Sequence, residues 1–326
     1  MLSEKANRCI INTMDYEGDV LLTIAIPTYK RFDLLKETLR SVFANDFKIN
    51  IEVIVVDNDP DNDMLALQEM KEFERFQFKY YKNSENYGMF GNWNQCLMLA
   101  KGKYITLLHD DDLLKDNFSS TLDISRLEKD DFVAFNCGVL DERTAASKPR
   151  THLLYSFIKK FYTRVREIKH KRRRVIDIKT LFFLNVFMGT LAVVFNRDKA
   201  IAIGGFDEGY YPVADYHFWS KWIVKFGTVY IDPEHVALYR IRENETMKQQ
   251  TIDAFIEKDF QLREEICRNV PVMKAYAKYT NLLKQRDSML FNFSWSNNEV
   301  KHKKNVINIL KYFILRVRCA IFFTLR

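Results

Sequence analysis

Three consecutive aspartates, Asp110, Asp111 and Asp112, stand between apolar residues in the segment LLHDDDLL at positions 107–114. Adjacent carboxylates repel one another, and burying an unpaired charge is costly or shifts its pKa. Carboxylate oxygens are also the ligands that Mg²⁺ and Mn²⁺ prefer, and such an ion commonly bridges a carboxylate and a phosphate group. The run is therefore either a solvated turn, where aspartate is favoured as a helix cap, or a cation site.

The aspartates follow one of several short apolar runs that alternate with helical patterns. Residues 21–27 (LLTIAIP) are apolar and β-branched, and residues 31–44 then place leucine, valine and phenylalanine at helical spacing. Further strand patterns occupy residues 51–59, 76–81, 103–108 and 132–140. Continuous apolar strands that alternate with helices are typical of a mostly parallel sheet covered by helices on both faces. The sequence thus predicts a Rossmann-like α/β fold, and helical patterns alone follow from about residue 251.

The segments that follow the predicted strands are rich in polar side chains. They are PTYKR at 27–31, DNDPD at 57–61, NSENYG at 83–88 and HDDD at 109–112. Open α/β sheets bind their ligands beyond the carboxyl ends of the strands. We therefore expect these segments to form one binding edge that includes the three aspartates.

Composition and charge narrow the class of protein. The 326 residues are 47% apolar, which is enough for a full core, and the five cysteines are scattered without CxxC spacing. Neither a disulfide framework nor a zinc site is indicated, and a reducing, cytoplasmic location is the simplest interpretation. The net charge is +7, but residues 159–174 carry +8 and residues 301–326 carry +7, so the remainder carries −8. This division predicts an anionic partner at defined places.

The first basic stretch, IKKFYTRVREIKHKRRR at 158–174, lacks the stacking aromatics or recognisable fold of a nucleic-acid module. We therefore expect no nucleic-acid partner. The stretch is either a solvated loop or a segment that approaches anionic lipid head groups.

The C-terminal segment combines positive charge with an apolar stripe. At helical spacing it places Val306, Ile307, Leu310, Phe313, Ile314, Val317 and Ile321. Its final uncharged stretch, 319–325, has seven residues, far fewer than the roughly 20 that span a bilayer. A basic amphipathic helix on a membrane surface fits this pattern, as does a helix packed on the protein's own core or on a second subunit. The oligomeric state is left open.

Five segments together resemble the family 2 glycosyltransferases. They are IAIPTYKR (24–31), VIVVDND (53–59), NSENYGMFGNWN (83–94), YITLLHDDDLL (104–114) and GGFDE (204–208), in the family's order and spacing. The resemblance covers about residues 21–242 and implies a GT-A catalytic domain at 19–243 with a basic loop at 158–174. An N-terminal tail at 1–18 and a helical extension at 244–326 complete the expected organisation. The implied activity is inverting transfer of a sugar from a nucleoside diphosphate, with UDP expected, to a glycan or lipid-linked glycan in bacterial-type surface polysaccharide synthesis.

The resemblance assigns the nucleotide-binding turn to Pro27, Thr28, Tyr29 and Arg31. It assigns contact with the base to Asp57, whose carboxylate suits the imide N–H of uracil. Read without the resemblance, Asp57 is equally a strand-end turn acid. Tyr29 then packs on the core, and Arg31 is an ordinary surface residue of the first helical turn.

The resemblance also assigns the loop under the donor to Asn86 and Gly88, and the metal motif to the three aspartates. Asp112 is expected to hold Mg²⁺ or Mn²⁺, while Asp110 and Asp111 face the donor ribose, the diphosphate or water. The alternative for Asn86 is a turn residue with left-handed backbone.

An inverting transfer needs a base that removes the proton of the acceptor hydroxyl. The family's base follows the GGFDE segment, where Asp215 is the matching carboxylate, although an alanine precedes it in place of the usual acid. The alternative for Asp215 is a plain helix cap. Asp207, Glu208, Trp219 and Arg242 are assigned to the acceptor side. The alternative for Asp207 and Glu208 is a turn cap, and the alternative for Arg242 is an exposed strand-end charge.

Two other functions compete with glycosyl transfer. A sugar nucleotidyltransferase would need a glycine-rich phosphate loop after the first strand, and PTYKRFD contains no glycine. A nucleotide- or glycan-binding scaffold would keep the acidic cluster for structure alone.

Overall fold

The computed structural model describes residues 2, 4–15, 18–143, 171–242, 248–294 and 305–324. Most of the predicted basic loop, 158–170, lies outside these residues. The strands within them are β1 (Asn7–Asn12), β2 (Leu22–Thr28), β3 (Ile51–Asp57), β4 (Lys79–Asn83), β5 (Tyr104–Leu107), β6 (Leu113–Leu114), β7 (Phe132–Asp141), β8 (Arg174–Ile176), β9 (Val193–Asn196) and β10 (Val229–Ile241).

The helices are α1 (Phe32–Phe43), α2 (Asp63–Met70), α3 (Gly88–Leu99), α4 (Phe118–Thr121), α5 (Ile124–Asp130), α6 (Ile178–Phe183), α7 (Arg197–Ala202), α8 (Ala214–Phe226), α9 (Gln249–Asn269), α10 (Thr280–Ser294) and α11 (Val306–Thr324). A 3₁₀ segment, Pro271–Tyr279, joins α9 to α10.

One ten-stranded sheet has the order β1-β4-β3-β2-β5-β9-β7-β10-β6, with β8 paired to β10. The strands β4, β3, β2 and β5 are mutually parallel, as predicted for the first half. In the second half β9 runs antiparallel to both β5 and β7. The sheet is therefore mixed as a whole, and its parallel part aligns the carboxyl ends of β2, β3 and β5 at one edge.

The parallel strands form because their side chains are apolar on both faces. Every residue of β2 is buried, and so is every residue of β3 except its first. Helix α1 covers one face with Leu35, Leu39 and Val42, and α3 covers the other with Trp93 and Leu97. This double covering explains the continuous apolar runs in the sequence.

Two segments fold differently from their sequence-based predictions. Residues 1–18, expected to be a tail, contribute β1, which pairs antiparallel with β4 and so extends the sheet. The apolar patterns TVYI (228–231) and VALYRI (236–241) predict two short strands, but they belong to one strand, β10, whose register against β7 shifts near Asp232 and His235. A proline at position 233 explains the shift, because proline cannot donate a ladder hydrogen bond.

The C-terminal extension is helical, as predicted, and contains a buried ionic cluster. Arg263 on α9 donates to the carbonyl oxygen of Phe182 on α6 at 2.9 Å, and its guanidinium lies 2.8 Å from Asp287 on α10. Asp259, one turn before Arg263, is also buried. The cluster thus fastens α9 and α10 to the end of α6. Within the described residues, no helix is long and apolar enough to cross a membrane.

Burial raises the pKa of Asp259 to about 7, against the opposing charge of Arg263. The folded state therefore binds this proton more tightly than the unfolded chain does. The resulting stabilisation is complete below the ordinary aspartate pKa and is lost as the pH rises through about 7.

We expect Asp259→Asn to gain stability relative to wild type as the pH is raised from about 5 to about 8, by roughly 1.4 kcal/mol for each unit of pKa shift removed. The free energy of unfolding in urea at stepped pH measures this difference. Asp198→Asn, an exposed position on α7, is the matched control and should follow the wild-type pH profile. Parallel profiles for Asp259→Asn and wild type would contradict the expectation.

Candidate functional site

The three aspartates lie between β5 and β6, at the carboxyl edge of the sheet, and two of them are fully buried. The hydroxyl of Thr38 on α1 donates to the carbonyl oxygen of Asp112 at 2.8 Å. The backbone N–H of Arg240 on β10 donates to Asp112 Oδ1 at 2.9 Å. The turn that carries the aspartates is thus fixed from two sides.

Asp110 is neutralised by residues from the turn after β2. The hydroxyl of Thr28 donates to Asp110 Oδ2 at 2.7 Å, and Arg31 donates to both carboxylate oxygens, from Nε at 3.2 Å and from a terminal nitrogen. Burial raises the pKa of Asp110 to about 6, while the charge of Arg31 opposes the rise. Through these bonds Asp110 holds the turn after β2 in place. Since it has no exposed surface, a donor cannot reach it in this arrangement.

Asp111 shares the same arginine but is more accessible. Arg31 donates to Asp111 Oδ2 at 2.9 Å, and the Asp111 side chain is 23% exposed. Its backbone carbonyl accepts from Arg240 Nε at 2.7 Å. Arg240 is itself buried and paired with Glu142 and Glu37, so it connects β10 to α1 beneath the aspartate turn.

Asp112 keeps one unsatisfied oxygen. Its Oδ2 is buried and has no hydrogen-bond partner among the described residues; His109 Nδ1 lies 3.6 Å from it. The His109 ring stacks on Trp93 with centroids 4.7 Å apart, and its Nε2 lies 3.2 Å from the Thr190 hydroxyl. An orphaned carboxylate oxygen beside an oriented imidazole is an arrangement that a cation would complete.

His109, Asp111 and Asp112 each offer one ligand atom, and these atoms all lie within 4.8 Å of one another. Two carboxylates and one imidazole are a donor set that fits a divalent cation such as Mn²⁺ or Mg²⁺. The residues therefore fit the predicted ion. The set differs from the sequence-based prediction, which gave the ion to Asp112 alone, in including His109 and Asp111.

The electrostatics of the cluster follow from its burial. Burial raises the pKa of Asp112, while the neighbouring His109 imidazole lowers it. Burial lowers the pKa of His109, but the nearby aspartates, Asp112 foremost, raise it above the ordinary value overall. Without a cation, the imidazole and the carboxylate therefore stabilise each other's charged forms.

Asp57 ends β3 and is held by its surroundings. Its Oδ1 accepts from the Asp59 N–H at 2.9 Å, and its Oδ2 accepts from the Tyr80 hydroxyl at 2.9 Å. The ammonium group of Lys82, which is fully buried, lies 3.2 Å from the same oxygen. Burial raises the pKa of Asp57 in spite of these contacts. A base could contact Asp57 only if one of these partners moved.

Asn58, the next residue, organises the loop that precedes α3. Its Oδ1 accepts from the side chain of Asn83 and from the N–H of Tyr87. Its Nδ2 donates to Asn86 Oδ1 at 2.7 Å and to the carbonyl of Gly88 at 3.1 Å. Asn86 Oδ1 also accepts from the Gly88 N–H at 2.9 Å. The two residues predicted under the donor, Asn86 and Gly88, are thus fixed to the end of β3.

Gly88 has a left-handed backbone with φ of +74°, and open space lies where a Cβ would stand. Glycine is favoured there for its backbone freedom, and the loop remains exposed at this point.

The remaining donor-side residues lie on the turn after β2. Pro27 is buried in β2, whereas Tyr29 is 42% exposed. Lys30 adopts a left-handed conformation with φ of +55°, and its ammonium group lies 3.6 Å from Asp59 Oδ1. This ion pair connects the turn after β2 to the segment after β3, so the turn and the Asp57 segment lie side by side.

Asp215 occupies the first turn of α8 and is partly exposed. Burial raises its pKa, and a backbone hydrogen bond, the charge of His109 and the side chain of Asn185 oppose the rise. The charge of His109 thus acts on both carboxyl groups, that of Asp112 and that of Asp215.

The four residues assigned to the acceptor side have different environments. Asp207 caps a 3₁₀ turn by accepting from the Gly209 N–H at 2.9 Å, and Glu208 lies 3.7 Å from Lys5 at the surface. Arg242 is half-exposed and donates to Glu142 at 2.5 Å. Trp219 is 1% exposed in the aromatic core and donates to the Gly189 carbonyl. Trp219 is therefore a core residue that an acceptor cannot contact.

Three site residues were not predicted to have these roles: Arg240, Lys82 and Asn58. Arg240 and Lys82 are buried cations in strands; in the sequence Arg240 interrupts the apolar run VALYRI at 236–241, and Lys82 directly follows the strand pattern at 76–81. That interruption is the available signal, because a buried charge needs a partner. Asn58 carries no distinctive local pattern, and only the folded loop reveals its four hydrogen bonds.

Comparisons with known sequences agree with this geometry. A model of the family described as Glycosyl transferase family 2 matches residues 23–197. An uncharacterized protein of Mycobacterium tuberculosis is 25% identical over 215 residues, 66% of this chain and 65% of that protein. The GalNAc(5)-diNAcBac-PP-undecaprenol beta-1,3-glucosyltransferase of Campylobacter jejuni is 35% identical over 103 residues, 31% of this chain and 33% of that protein.

A putative colanic acid biosynthesis glycosyl transferase, WcaA of Escherichia coli, is 34% identical over 96 residues, 29% of this chain and 34% of that protein. The matched regions thus span less than two thirds of the length of each of these three relatives.

Comparisons with solved structures concern the fold alone, because the identities are low. S. aureus TarS 1–349 in complex with UDP-GlcNAc superimposes with a TM-score of 0.59 at 15% identity, covering 93% of this chain and 81% of that chain. The mannosyltransferase PcManGT of Pyrobaculum calidifontis, in complex with GDP-Man and Mn²⁺, gives 0.55 at 15% identity, covering 95% and 88%. These similarities confirm the predicted GT-A fold with its helical C-terminal region.

The pairing of Arg31 with Asp110 predicts a specific coupling. Arg31→Met leaves the buried Asp110 carboxylate without its cation, and we expect it to destabilise the protein by about 2–4 kcal/mol at neutral pH. Asp110→Asn in the same chain should recover part of this loss, because a neutral amide needs no counter-charge. Urea unfolding of the two single variants and the double variant, without metal, completes the cycle. Additive effects would show that the pair is not coupled.

Proposed function

The chain belongs to glycosyl transferase family 2, and on that premise we propose that it is an inverting, metal-dependent hexosyltransferase. The donor is a nucleoside diphosphate sugar, with UDP as the expected nucleotide, and the acceptor is a hydroxyl group of a glycan or lipid-linked glycan. The observation that carries the proposal is the unsatisfied oxygen of Asp112 beside His109 at the carboxyl edge of the sheet. The partly exposed Asp215 in the first turn of α8 supports it, since the charge of His109 also acts on this carboxyl group.

His109, Asp111 and Asp112 would hold the cation, for which Mg²⁺ and Mn²⁺ are the candidates. When bound, such an ion supplies positive charge to a diphosphate leaving group. Arg31 keeps a 46% exposed side chain beside Asp110 and Asp111. The exposed part of its guanidinium adds positive charge at the same edge of the sheet. In this proposal Arg31 therefore also binds the diphosphate.

The nucleoside lies, in this proposal, across the turn after β2 and the end of β3. Tyr29 offers an exposed ring there, and aromatic rings provide a face on which a base can stack. The contacts of Asp57 with Tyr80 and Lys82 give it a second task, which is to hold this surface in shape. Asn86 and Gly88 border the same space from the loop before α3.

The proposed transfer forms one bond, breaks another and moves one proton. The acceptor oxygen attacks the anomeric carbon from the side opposite the diphosphate, and the bond from that carbon to the diphosphate oxygen breaks. Asp215 accepts the proton of the attacking hydroxyl. A raised pKa makes a carboxylate a stronger base, and burial gives Asp215 such a shift. The products are a glycoside of inverted configuration and a free nucleoside diphosphate.

The acceptor and the place of action rest on similarity and charge. The Campylobacter jejuni relative carries PP-undecaprenol in its name, and the Escherichia coli relative is named for colanic acid biosynthesis. We propose a lipid-linked glycan acceptor in polysaccharide biosynthesis, used at the cytoplasmic face of a membrane. The domain organisation that accompanies this proposal places catalysis in residues 19–243 and the helical extension in residues 244–326.

A donor screen tests the activity. Purified protein with Mn²⁺, a panel of nucleotide sugars and an extract of lipid-linked acceptors should release nucleotide from one donor class. Asp215→Asn should lower this rate by about 10²–10⁴-fold, which is the usual contribution of a general base. Asp198→Asn, which places the same change in the first turn of α7, should leave the rate unchanged. Wild-type turnover by Asp215→Asn would remove its assignment as the base.

Metal binding is tested separately from turnover. We expect Mn²⁺ to bind the wild-type protein in a calorimetric titration, and we expect Asp112→Asn and His109→Gln each to weaken that binding by about ten-fold or more. Asp198→Asn again serves as the control. Equal Mn²⁺ affinity in Asp112→Asn would contradict the site, and unchanged nucleotide release after removal of all divalent ions would contradict the metal requirement.

A further inference from the structure

Helix α11 uses only one of its faces to pack on the protein. Ile309, Tyr312 and Cys319 are each at most 5% exposed. Ile309 and Tyr312 form a small apolar cluster with Met289 and Phe293 of α10, in which the Phe293 and Tyr312 rings lie 5.7 Å apart. The helix is thus fixed to the C-terminal extension along this docked face.

A second apolar face of α11 has no cover among the described residues. It consists of Val306, Ile307, Leu310 and Ile314, which are 46%, 63%, 46% and 54% exposed. We call these four residues the free face. Their spacing places them within about 100° of one another around the helix axis. Single exposed apolar side chains are ordinary on a protein surface, but four on one helical face form a patch of the kind that marks an interaction site.

Cations border the free face. Lys311 and Arg318 are exposed, and helical geometry places both directly beside the apolar stripe. The segment 301–326 carries seven lysines and arginines and no acid, whereas the chain outside the two basic segments carries a net −8. An exposed apolar stripe with cations along its edge, on a protein of otherwise acidic charge, complements an apolar surface that carries negative charge.

Symmetric pairing of two free faces is the main competing explanation. Such a pair would bring two segments of +7 together with no acid in either of them to compensate. Like charges across an interface are unfavourable, and this disfavours a second copy as the occupant. An anionic bilayer instead offers head groups for the cations and acyl chains for the aliphatic side chains.

We propose that the free face of α11 docks in the plane of an anionic lipid surface. Its docked face holds the helix against α10 at the same time, so the catalytic domain is carried to the membrane as one piece with the extension. This role is independent of the sugar transfer proposed above, because none of the free-face residues belongs to the candidate site.

Vesicle co-sedimentation tests the proposal with the full chain. Wild type should sediment with phosphatidylcholine vesicles that contain about one third phosphatidylglycerol, should bind pure phosphatidylcholine vesicles much less, and should bind less at high salt. Ile307→Glu/Leu310→Glu should weaken binding at least ten-fold. Val272→Glu places the same change at a residue that is 73% exposed in the same extension, and it should bind like wild type.

A second pair of variants separates charge from apolar contact. Lys311→Ala/Arg318→Ala should weaken binding to the anionic vesicles by about five-fold for each cation removed, while Lys274→Ala should not. Circular dichroism melts will show that the variants fold, as expected for changes at exposed positions.

Three results would overturn the proposal. They are no sedimentation of wild type with anionic vesicles, wild-type binding by both α11 variants, or equal binding of wild type to neutral vesicles. A wild-type dimer in analytical ultracentrifugation that Ile307→Glu/Leu310→Glu converts to monomer, without vesicle binding, would assign the free face to a second copy. Nucleotide release with a water-soluble acceptor should be the same in wild type and α11 variants, so failure of the activity and failure of docking remain distinguishable.

Discussion

The structure depends on how three adjacent carboxylates are accommodated at the edge of a sheet. Two of them, Asp110 and Asp112, have no exposed surface, and their charges must be balanced by what the fold brings to them. Asp110 takes the guanidinium of Arg31 and the hydroxyl of Thr28. The carboxylate of Asp112 accepts a hydrogen bond from the backbone N–H of Arg240, and the His109 ring lies beside it. Each of these two aspartates therefore ties a different strand to the turn, and the requirement for charge balance also positions Thr28 and Arg31 in the turn after β2.

The aspartates differ in their roles because their hydrogen-bond partners differ. A carboxylate whose two oxygens are both engaged, as in Asp110, supports the structure. One with an unsatisfied oxygen, as in Asp112, remains available for a ligand. Arg31 and the N–H of Arg240 thus partly offset the repulsion between the aspartates. The negative charge that they leave uncompensated lies at Asp111 and Asp112, beside His109. A cation there would complete the neutralisation that the protein's own residues begin.

The sequence predicts the parts of this arrangement that depend on local pattern. Continuous apolar runs predict the buried strands β2, β3 and β5, and the polar residues after them predict the binding edge. The roles of Arg240 and Lys82 depend on contacts between distant positions, such as the bond from residue 240 to Asp112, and no local pattern contains that pairing. Strand β1 was missed for the same reason, since its short mixed sequence becomes a strand only beside β4. Trp219 is the opposite case. It is close in sequence to a site motif and was therefore assigned to the acceptor side, but its ring packs in the core.

Burial destabilises the charged carboxylates of the aspartate run, but at Asp215 it favours the proposed role as a base. The same desolvation that must be offset at Asp110 raises the pKa of Asp215 and so increases its basicity. A base must also be ionised before it can accept a proton, and the charge of His109 opposes the shift, favouring the ionised form. His109 is therefore shared between Asp112 and Asp215, with Trp93 and Thr190 fixing its ring. The same imidazole thus favours the ionised form of the candidate cation ligand and of the candidate base.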